Sequence, residues 1–497
     1  MTDTLADPQG STVAEVPSPV RSNRGKLNVA YALVGFAPLP GGLLVAKVAA
    51  VTIGPAGLGA LAAIQAVTAT VTLLADANVG QGLIRKSGPE PERVHHFARA
   101  ARRITLVGAL LSTLVVAVIS PWAAKSLVGG THSARNVILA SFAGGVTMIS
   151  LQEINILTTR GRNRSVLGFL LLQGLVGPLS VALVLMKFKM PGIAFAPVLS
   201  AVAVLIVGAS VVWRNRPRPK PQVSRAETNR AIRELLAFGG PASVAVVLGA
   251  GSAALVPIVV RSVLGYEATG WYRAATLVSG GYTAGLLAMM VRSYFPAISS
   301  KTDRTLIRGS IERHLRLTTR LISLAGICIV VFSHQILSTL FSSKFTQASG
   351  VLRILLLADV LKFAAWCFTF PLLAKLPPSR FVVIEAIGAA SVIGFVAVGA
   401  SLDGLNGAGL GAVLAAFTYL LAAIAMTRHF LGIGLAKTAL FEAGLATAMV
   451  AVAGMVMATS TLPASLFLTV TAGLIAIAGM RAVNVVLVDL PSLRRPI

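Results

Sequence analysis

Apolar runs of about 20 residues or more recur about fourteen times along this sequence, and no polar gap between them exceeds about 30 residues. A run of that length crosses the ~30 Å hydrocarbon core of a bilayer as one helix. Gaps so short hold no independent water-soluble core. The reading is an all-α polytopic membrane protein. Composition agrees, with 55% of the 497 residues hydrophobic, 12% charged, and a mean hydropathy of +0.82.

The spans fall at about 27–53, 58–84, 104–124, 136–159, 165–186, 192–213, 236–264, 270–299, 317–341, 347–374, 381–402, 405–427, 438–459 and 463–489. They divide the chain into a polar tail (1–26), a six-span unit (27–213), a basic linker (214–235), a second six-span unit (236–430) and a further pair (436–490). Residues 1–25 have no apolar core of signal-peptide type and read as a cytoplasmic tail. Pro38 and Pro40 interrupt the first span, a break that bilayer helices tolerate beside a cavity. The linker begins with prolines, which favour an extended chain, and ends in AETNRAIRELL, which reads as helix. A weak repeat points to two related halves. Lys47 precedes the turn residue Gly57 by ten positions and Arg261 precedes Gly270 by nine, each between two long apolar spans.

The net charge of +26 comes from 43 Lys/Arg against 17 Asp/Glu. Its placement excludes nucleic-acid binding. The basic residues cluster at alternate gaps, about 32 of them on one face and about five on the other. That asymmetry places both termini in the cytoplasm and the chain in the plasma (inner) membrane. Cys328 and Cys367 lie inside spans and form no disulfide framework. The sequence has no GxxxxGK[ST] loop, no HExxH and no paired-Cys zinc spacing. His95 and His96 read as a solvated pair in a basic loop. No catalytic residue, metal or cofactor is expected, and the chain does not read as an enzyme.

Charge inside the spans carries the functional reading. A charged side chain at bilayer depth costs roughly 2.5–3.5 kcal/mol, so it faces a partner or a wet cavity. Asp359 and Lys362 stand three apart on one helix face near mid-span, either as an ion pair or as a cavity wall. Lys47, Arg261, Arg273, Arg292 and Lys362 are the candidate substrate-binding cations, since Arg grips phosphate bidentately and Lys offers a mobile point charge. Arg261 and Arg273 flank an outer turn and suit snorkelling equally well. Asp359, Asp76, Glu153 and Glu385 are the candidates for coupling an ion or proton. Glu267 sits in an outer turn, and Glu385 and Glu442 lie near cytoplasmic helix ends, where a role of simply reaching water is the alternative.

Three stretches carry a family resemblance: LLVAKVAAVTIGPAGLGAL, SSKFTQASGVLRILLLADVLK and LLAKLPPSRFVVIEA. Over about residues 27–430 the chain resembles the Wzx-type oligosaccharide-lipid flippases of the multidrug/oligosaccharidyl-lipid/polysaccharide exporter superfamily, the lipid III flippases of the enterobacterial common antigen pathway in particular. The resemblance implies two six-helix bundles arranged as a V around a central cavity. It implies transfer of an undecaprenyl-pyrophosphate-linked oligosaccharide from the cytoplasmic to the outer leaflet for polysaccharide export. The glycan-bearing lipid and membrane lipids are the implied partners, with a polysaccharide polymerase and glycosyltransferases as candidate protein partners. Lys47, Asp359, Lys362, Lys375 and Glu385 match polar positions of that family. The pair of spans after residue 436 departs from its twelve-span pattern and resembles the peptidoglycan lipid II flippases, so that substrate stays open. A multidrug exporter, a membrane-bound polysaccharide polymerase and a non-transporting scaffold are the rival readings.

Overall fold

The computed structural model describes residues 38–76, 79–80, 82–83, 91–127, 133–160, 162–215, 224–290, 294–299, 301–434, 437–458, 470 and 472–481. Among these residues every regular element is helical. They are α1 (Pro38–Thr52), α2 (Gly54–Asp76), α3 (Pro91–Leu127), α4 (Ser133–Thr159), α5 (Asn163–Arg214) and α6 (Arg225–Met289). After these come α7 (Phe295–Ser299), α8 (Arg304–Val331), α9 (Ser333–Leu340), a 3-10 turn (Ser343–Ala348), α10 (Ser349–Lys375), α11 (Pro378–Leu431), α12 (Lys437–Ala458) and α13 (Ala472–Arg481). The tail expected at 1–26 lies outside the described residues.

Among the described residues, eight helical stretches are long and apolar enough to cross a membrane. Three of them are too long to cross it once. The 52 residues of α5 would reach ~78 Å if straight, more than twice the hydrocarbon core. Each folds back at a non-helical point: Lys189 in α5, Gly265 in α6, and Asp403 with Gly404 in α11. Leu110, Leu111, Leu114 and Val118 form an exposed apolar stripe on α3, as a lipid-facing helix requires.

Two expected loops are helical instead. Residues 91–103 begin α3 and residues 304–320 begin α8. In the second, Ile307, Ile311 and Leu315 recur every four residues and are buried, while Arg304, Arg308 and Arg313 stay exposed. That amphipathic pattern extends the helix beyond the apolar run. Asp303 caps it by accepting from the Thr305 amide at 2.8 Å and the Thr305 hydroxyl at 2.9 Å. Those bonds, the amide's first, hold the Asp303 carboxyl below the ordinary aspartate range. The AETNRAIRELL stretch starts α6 behind a capping box formed by Ser224 and Glu227. Pro38 and Pro40 stand in the first turn of α1, where a missing amide donor costs nothing.

α1, α3, α4 and α5 pack with α2 in one group and α8, α10 and α11 with α6 in another, α2 and α6 pack extensively on each other between the groups with α3 also on α6, and α12 packs on α8 and α10. The two groups meet at both ends. At one end α2 and α6 touch at their turns. Gly54 (φ 68°) and Gly265 (φ 84°) occupy a backbone region open to glycine, and each reverses the chain there. Five residues on from each, a side chain at Gly59 would overlap the carbonyl of Tyr266, and one at Gly270 would overlap the carbonyl of Pro55. Each turn residue and its packing glycine are therefore the same distance apart in both halves, and the contacts are reciprocal. This is the signature of a pseudo-two-fold axis. The register corrects the repeat read from sequence, because in it Lys47 and Arg261 are not equivalent positions. At the other end, where the arginine-rich segments cluster, Phe97, Ala98 and Ala101 of α3 pack on Ala231 and Leu235 of α6.

Gly270→Ala is expected to cost the turn contact about 1–3 kcal/mol through overpacking. The check is thiol labelling of Leu58→Cys in a cysteine-free background, because Leu58 is only 3% exposed beside this contact. Labelling that does not rise in the Gly270→Ala protein would show that the contact does not seal this end.

Candidate substrate cavity and the surrounding polar groups

The α2 sequence QAVTATVT sets Gln65, Thr68 and Thr72 three and four residues apart, on one helix face. That face borders a cavity of about 490 Å³, roughly 20 Å of helix below the Gly54 turn. The other walls include Thr147 of α4, Ser200 of α5 and Ala250 of α6. Among the described residues its lining holds no Lys, Arg, Asp or Glu. The threonine hydroxyls turn their protons away from the space. Thr68 donates to the Ala140 carbonyl at 3.1 Å and the Ile64 carbonyl at 3.2 Å, Thr72 to the Thr68 carbonyl at 2.8 Å, and Thr147 to the Ala143 carbonyl at 2.8 Å. Their oxygens remain free to accept.

Arg273 of α6 does not line this cavity but bonds to its Gln65 from the other half. Its Nη2 donates to Gln65 Oε1 at 3.2 Å. A guanidinium only donates, so this bond sets the amide orientation and leaves the Gln65 NH₂ as a donor. The link uses a single guanidinium nitrogen of Arg273.

Asp359 and Lys362 do not form the ion pair that their spacing allowed. Asp359, buried in α10, faces α6, where its Oδ2 accepts from Ser279 at 2.6 Å and Tyr282 at 3.1 Å. Lys362 is exposed and runs instead along its own helix, its Nζ 5.2 Å from the centre of the Trp366 ring. The lysine thus makes a cation–π contact while remaining near enough to Asp359 and Glu385 for its charge to act on both. Glu385 of α11 accepts from the Tyr419 hydroxyl at 2.7 Å, and Gly249 of α6 leaves room for its other oxygen.

The remaining candidates are dispersed. Lys47 donates to the Thr339 carbonyl at 2.7 Å, at the end of α9, where the helix dipole favours a cation. Arg261 lies over the Tyr266 ring at 4.3 Å, at the turn end. Glu153 is held bidentately by Arg102 at 2.5 and 2.6 Å, a private pair between α3 and α4. Asp76 accepts weakly from the Gly80 amide at 3.4 Å at the end of α2. Lys375 donates to the Ser299 carbonyl at 3.0 Å. Arg292 lies outside the described residues. Glu442, read as reaching water, instead binds Arg320 at 2.9 Å and also Arg481, which fastens α12 and α13 to α8. Sequence reasoning passed over the neutral groups: Gln65, the threonines, Ser279, Tyr282 and Tyr419. The three-and-four spacing of Gln65, Thr68 and Thr72 was the available signal.

A family model described as "Polysaccharide biosynthesis protein" matches residues 50–350. The lipid III flippases of Escherichia coli (strain K12) and Shigella flexneri are each 21% identical over 360 residues, covering 69% of this chain and 83% of theirs. The solved structure of the lipid II flippase MurJ in an inward closed conformation is similar at a TM-score of 0.66 and 13% identity, covering 95% of this chain and 100% of that one. An outward-facing multidrug resistance transporter of the MATE family is similar at a TM-score of 0.53 and 15% identity, covering 82% and 96%. At these identities the two structures speak to the fold.

Asp359→Ala removes the acceptor from two hydroxyls and is expected to cost about 1–3 kcal/mol. Asp359→Asn keeps an acceptor and should cost less. Thermal unfolding in detergent distinguishes them, and equal losses would mean that the hydroxyl bonds do not hold α10 to α6.

Proposed function

The chain belongs to the polysaccharide biosynthesis protein family, and from that premise we propose that it flips an undecaprenyl-pyrophosphate-linked oligosaccharide from the cytoplasmic to the outer leaflet of the plasma membrane. The observation that carries this reading is a cavity walled by α2, α4 and α5 of the first half and closed by Ala250 of the second, with the halves in contact at the Gly59–Gly270 end. A transporter that alternates access needs such a chamber and a parting surface above it. The turn end is then the outer end. The arginine-rich end is cytoplasmic, with both termini there.

Arg273 and Lys362 are the cations that meet the pyrophosphate, with Arg292 as the third candidate. Among the described residues Arg273 uses one donor on Gln65, and the exposed Lys362 lies against the Trp366 ring with its charge near Asp359 and Glu385. Lys47 acts differently, because its bond to α9 closes the turn end and must break when that end opens. The polyprenyl tail stays in lipid. Asp359, with Glu385 second, couples an ion or proton, since both are carboxylates set among hydroxyls between helices that rearrange. A polysaccharide polymerase and glycosyltransferases are the proposed protein partners. A guanidinium beside the cavity works against an organic cation, which separates this reading from multidrug export.

The test is reconstitution into liposomes with undecaprenyl pyrophosphate bearing a labelled N-acetylhexosamine, followed by lectin capture of lipid that has crossed. Transfer should require the protein. The Arg273→Gln, Lys362→Gln double variant should lower the initial rate at least tenfold, as losing a charge-assisted bond of about 1.5–3 kcal/mol demands. An undiminished rate would refute the cationic grip. Efflux of an organic cation without lipid transfer would assign the multidrug reading instead.

A further inference from the structure

We propose that Arg160 and Arg162, with Arg102 and His95 beside them, hold the phosphate of an anionic phospholipid at the arginine-rich foot of α3. The lipid belongs to the surrounding leaflet. None of the four residues lines the cavity along α2, so the site lies apart from the passage of the cargo.

Positive charge at this corner exceeds what the protein neutralises. Arg102 of α3 spends its Nε and Nη2 on the two oxygens of Glu153. Arg160 follows the end of α4 and is half-buried. Its Nε is sealed from solvent and donates to no protein group among the described residues. A buried donor without an acceptor is costly, and a phosphate oxygen supplies one. Burial first, then the charges of Arg102 and Arg162, push the Arg160 guanidinium below the ordinary arginine range, against the pull of Glu153. His95 of α3 lies near enough for the Arg160 charge to act on it. Glu227 of α6 stands 3.4 Å from His96, about 100° further round α3, and so serves another face of the helix. Arg162 is exposed at the start of α5, which no side chain caps. A cation there opposes the helix dipole, whereas an anion held by Arg160 and Arg162 is favoured by it.

The surroundings select a lipid over a soluble phosphate. Arg103 is exposed beside Arg102, and Leu106, Leu110 and Leu114 follow it at three- and four-residue spacing on one face of α3. From Leu106 to Val118 this exposed stripe covers ~18 Å of helix, enough for the ~15 Å of hydrocarbon in one leaflet. An acyl chain lies along the stripe while the phosphate reaches the arginines at its foot. Basic pockets between helices on the cytoplasmic side of a membrane bind anionic headgroups in this way. A zwitterionic headgroup brings its own cation, which the arginines oppose. Exposed arginine alone does not make such a site, since Arg308 of α8 is already paired with Glu312 at 2.8 Å.

The experiment titrates the full-length protein in detergent with phosphatidylglycerol or with phosphatidylcholine of the same acyl chains, and counts bound lipid by native mass spectrometry. The wild type should bind its first phosphatidylglycerol about tenfold more tightly than phosphatidylcholine. The Arg160→Gln, Arg162→Gln double variant should lower phosphatidylglycerol affinity about tenfold and leave phosphatidylcholine within about twofold. The Arg304→Gln, Arg308→Gln protein loses the same charge from α8 and should stay within about twofold of wild type for both lipids. Glu153→Gln releases Arg102 and should raise phosphatidylglycerol affinity about threefold, a gain that a merely structural role for the corner would not give. A wild type that binds the two lipids equally overturns the proposal. Equal loss in the α8 variant would reduce the effect to general attraction by the basic face, and a loss in Glu153→Gln as large as in the arginine variant would make the corner structural. Displacement of phosphatidylglycerol by millimolar inorganic phosphate would assign the site to a soluble anion and overturn the lipid.

Discussion

Two turns that meet backbone to side-chain-free backbone set the relation between the halves. Gly59 lies under the Tyr266 carbonyl and Gly270 under the Pro55 carbonyl, closer than any Cβ permits. Contact at this range has two consequences. It allows no slack, since a methyl group at either site must separate α2 from α6. It also runs on beyond the turns, because α2 and α6 pack extensively on each other and share buried apolar side chains, so the close approach fixes one geometry sharply. The cavity further down α2 depends on it, because the neutral face of α2 is held opposite α6 only while the turns touch.

The charges within the spans divide by what they fasten. Arg102 with Glu153 ties α3 to α4, and Glu442 with Arg320 and Arg481 ties the last two helices to α8. Arg353 donates to the Ser333 hydroxyl at 3.0 Å and the Met457 carbonyl at 2.7 Å, joining α9, α10 and α12. Removing one partner from such a set strands the other in low dielectric, so these groups behave as staples. Lys362 differs in being exposed, against the Trp366 ring and without a hydrogen-bonded ion pair among the described residues, where Arg273 likewise uses one donor on Gln65. A side chain with unspent hydrogen-bonding capacity can take a ligand without first dismantling the protein.

The helical class and the span pattern were legible because they follow from run length against bilayer thickness, a constraint that tertiary context does not override. The glycine turns were visible too, but their register was not. Lys47 and Arg261 drew attention by charge, whereas the true equivalence lies in glycines whose role depends on what packs against them. The helical starts of α3 and α8 were missed for a related reason. An amphipathic helix with Arg304, Arg308 and Arg313 on one face has the composition of a loop. Charge was likewise a poor guide to the cavity. Glu153 and Glu442 drew notice but are committed to arginines, and neither Gln65 nor Thr147 carries any charge.

The contrast between a net charge of +26 and a neutral cavity has a physical basis. Exposed arginines at one end lie in water beside lipid headgroups, where their solvation is kept and their work is to fix orientation. A cation lining the chamber would instead hold an anionic cargo through every stage of its passage. Transport requires release as much as capture, and strength of binding by itself moves no equilibrium between two states. Hydroxyl oxygens and one amide make individually weak bonds that water replaces at little cost. Placing the neutral groups deep and leaving Arg273 at the boundary between halves lets the charged contact change as the halves part.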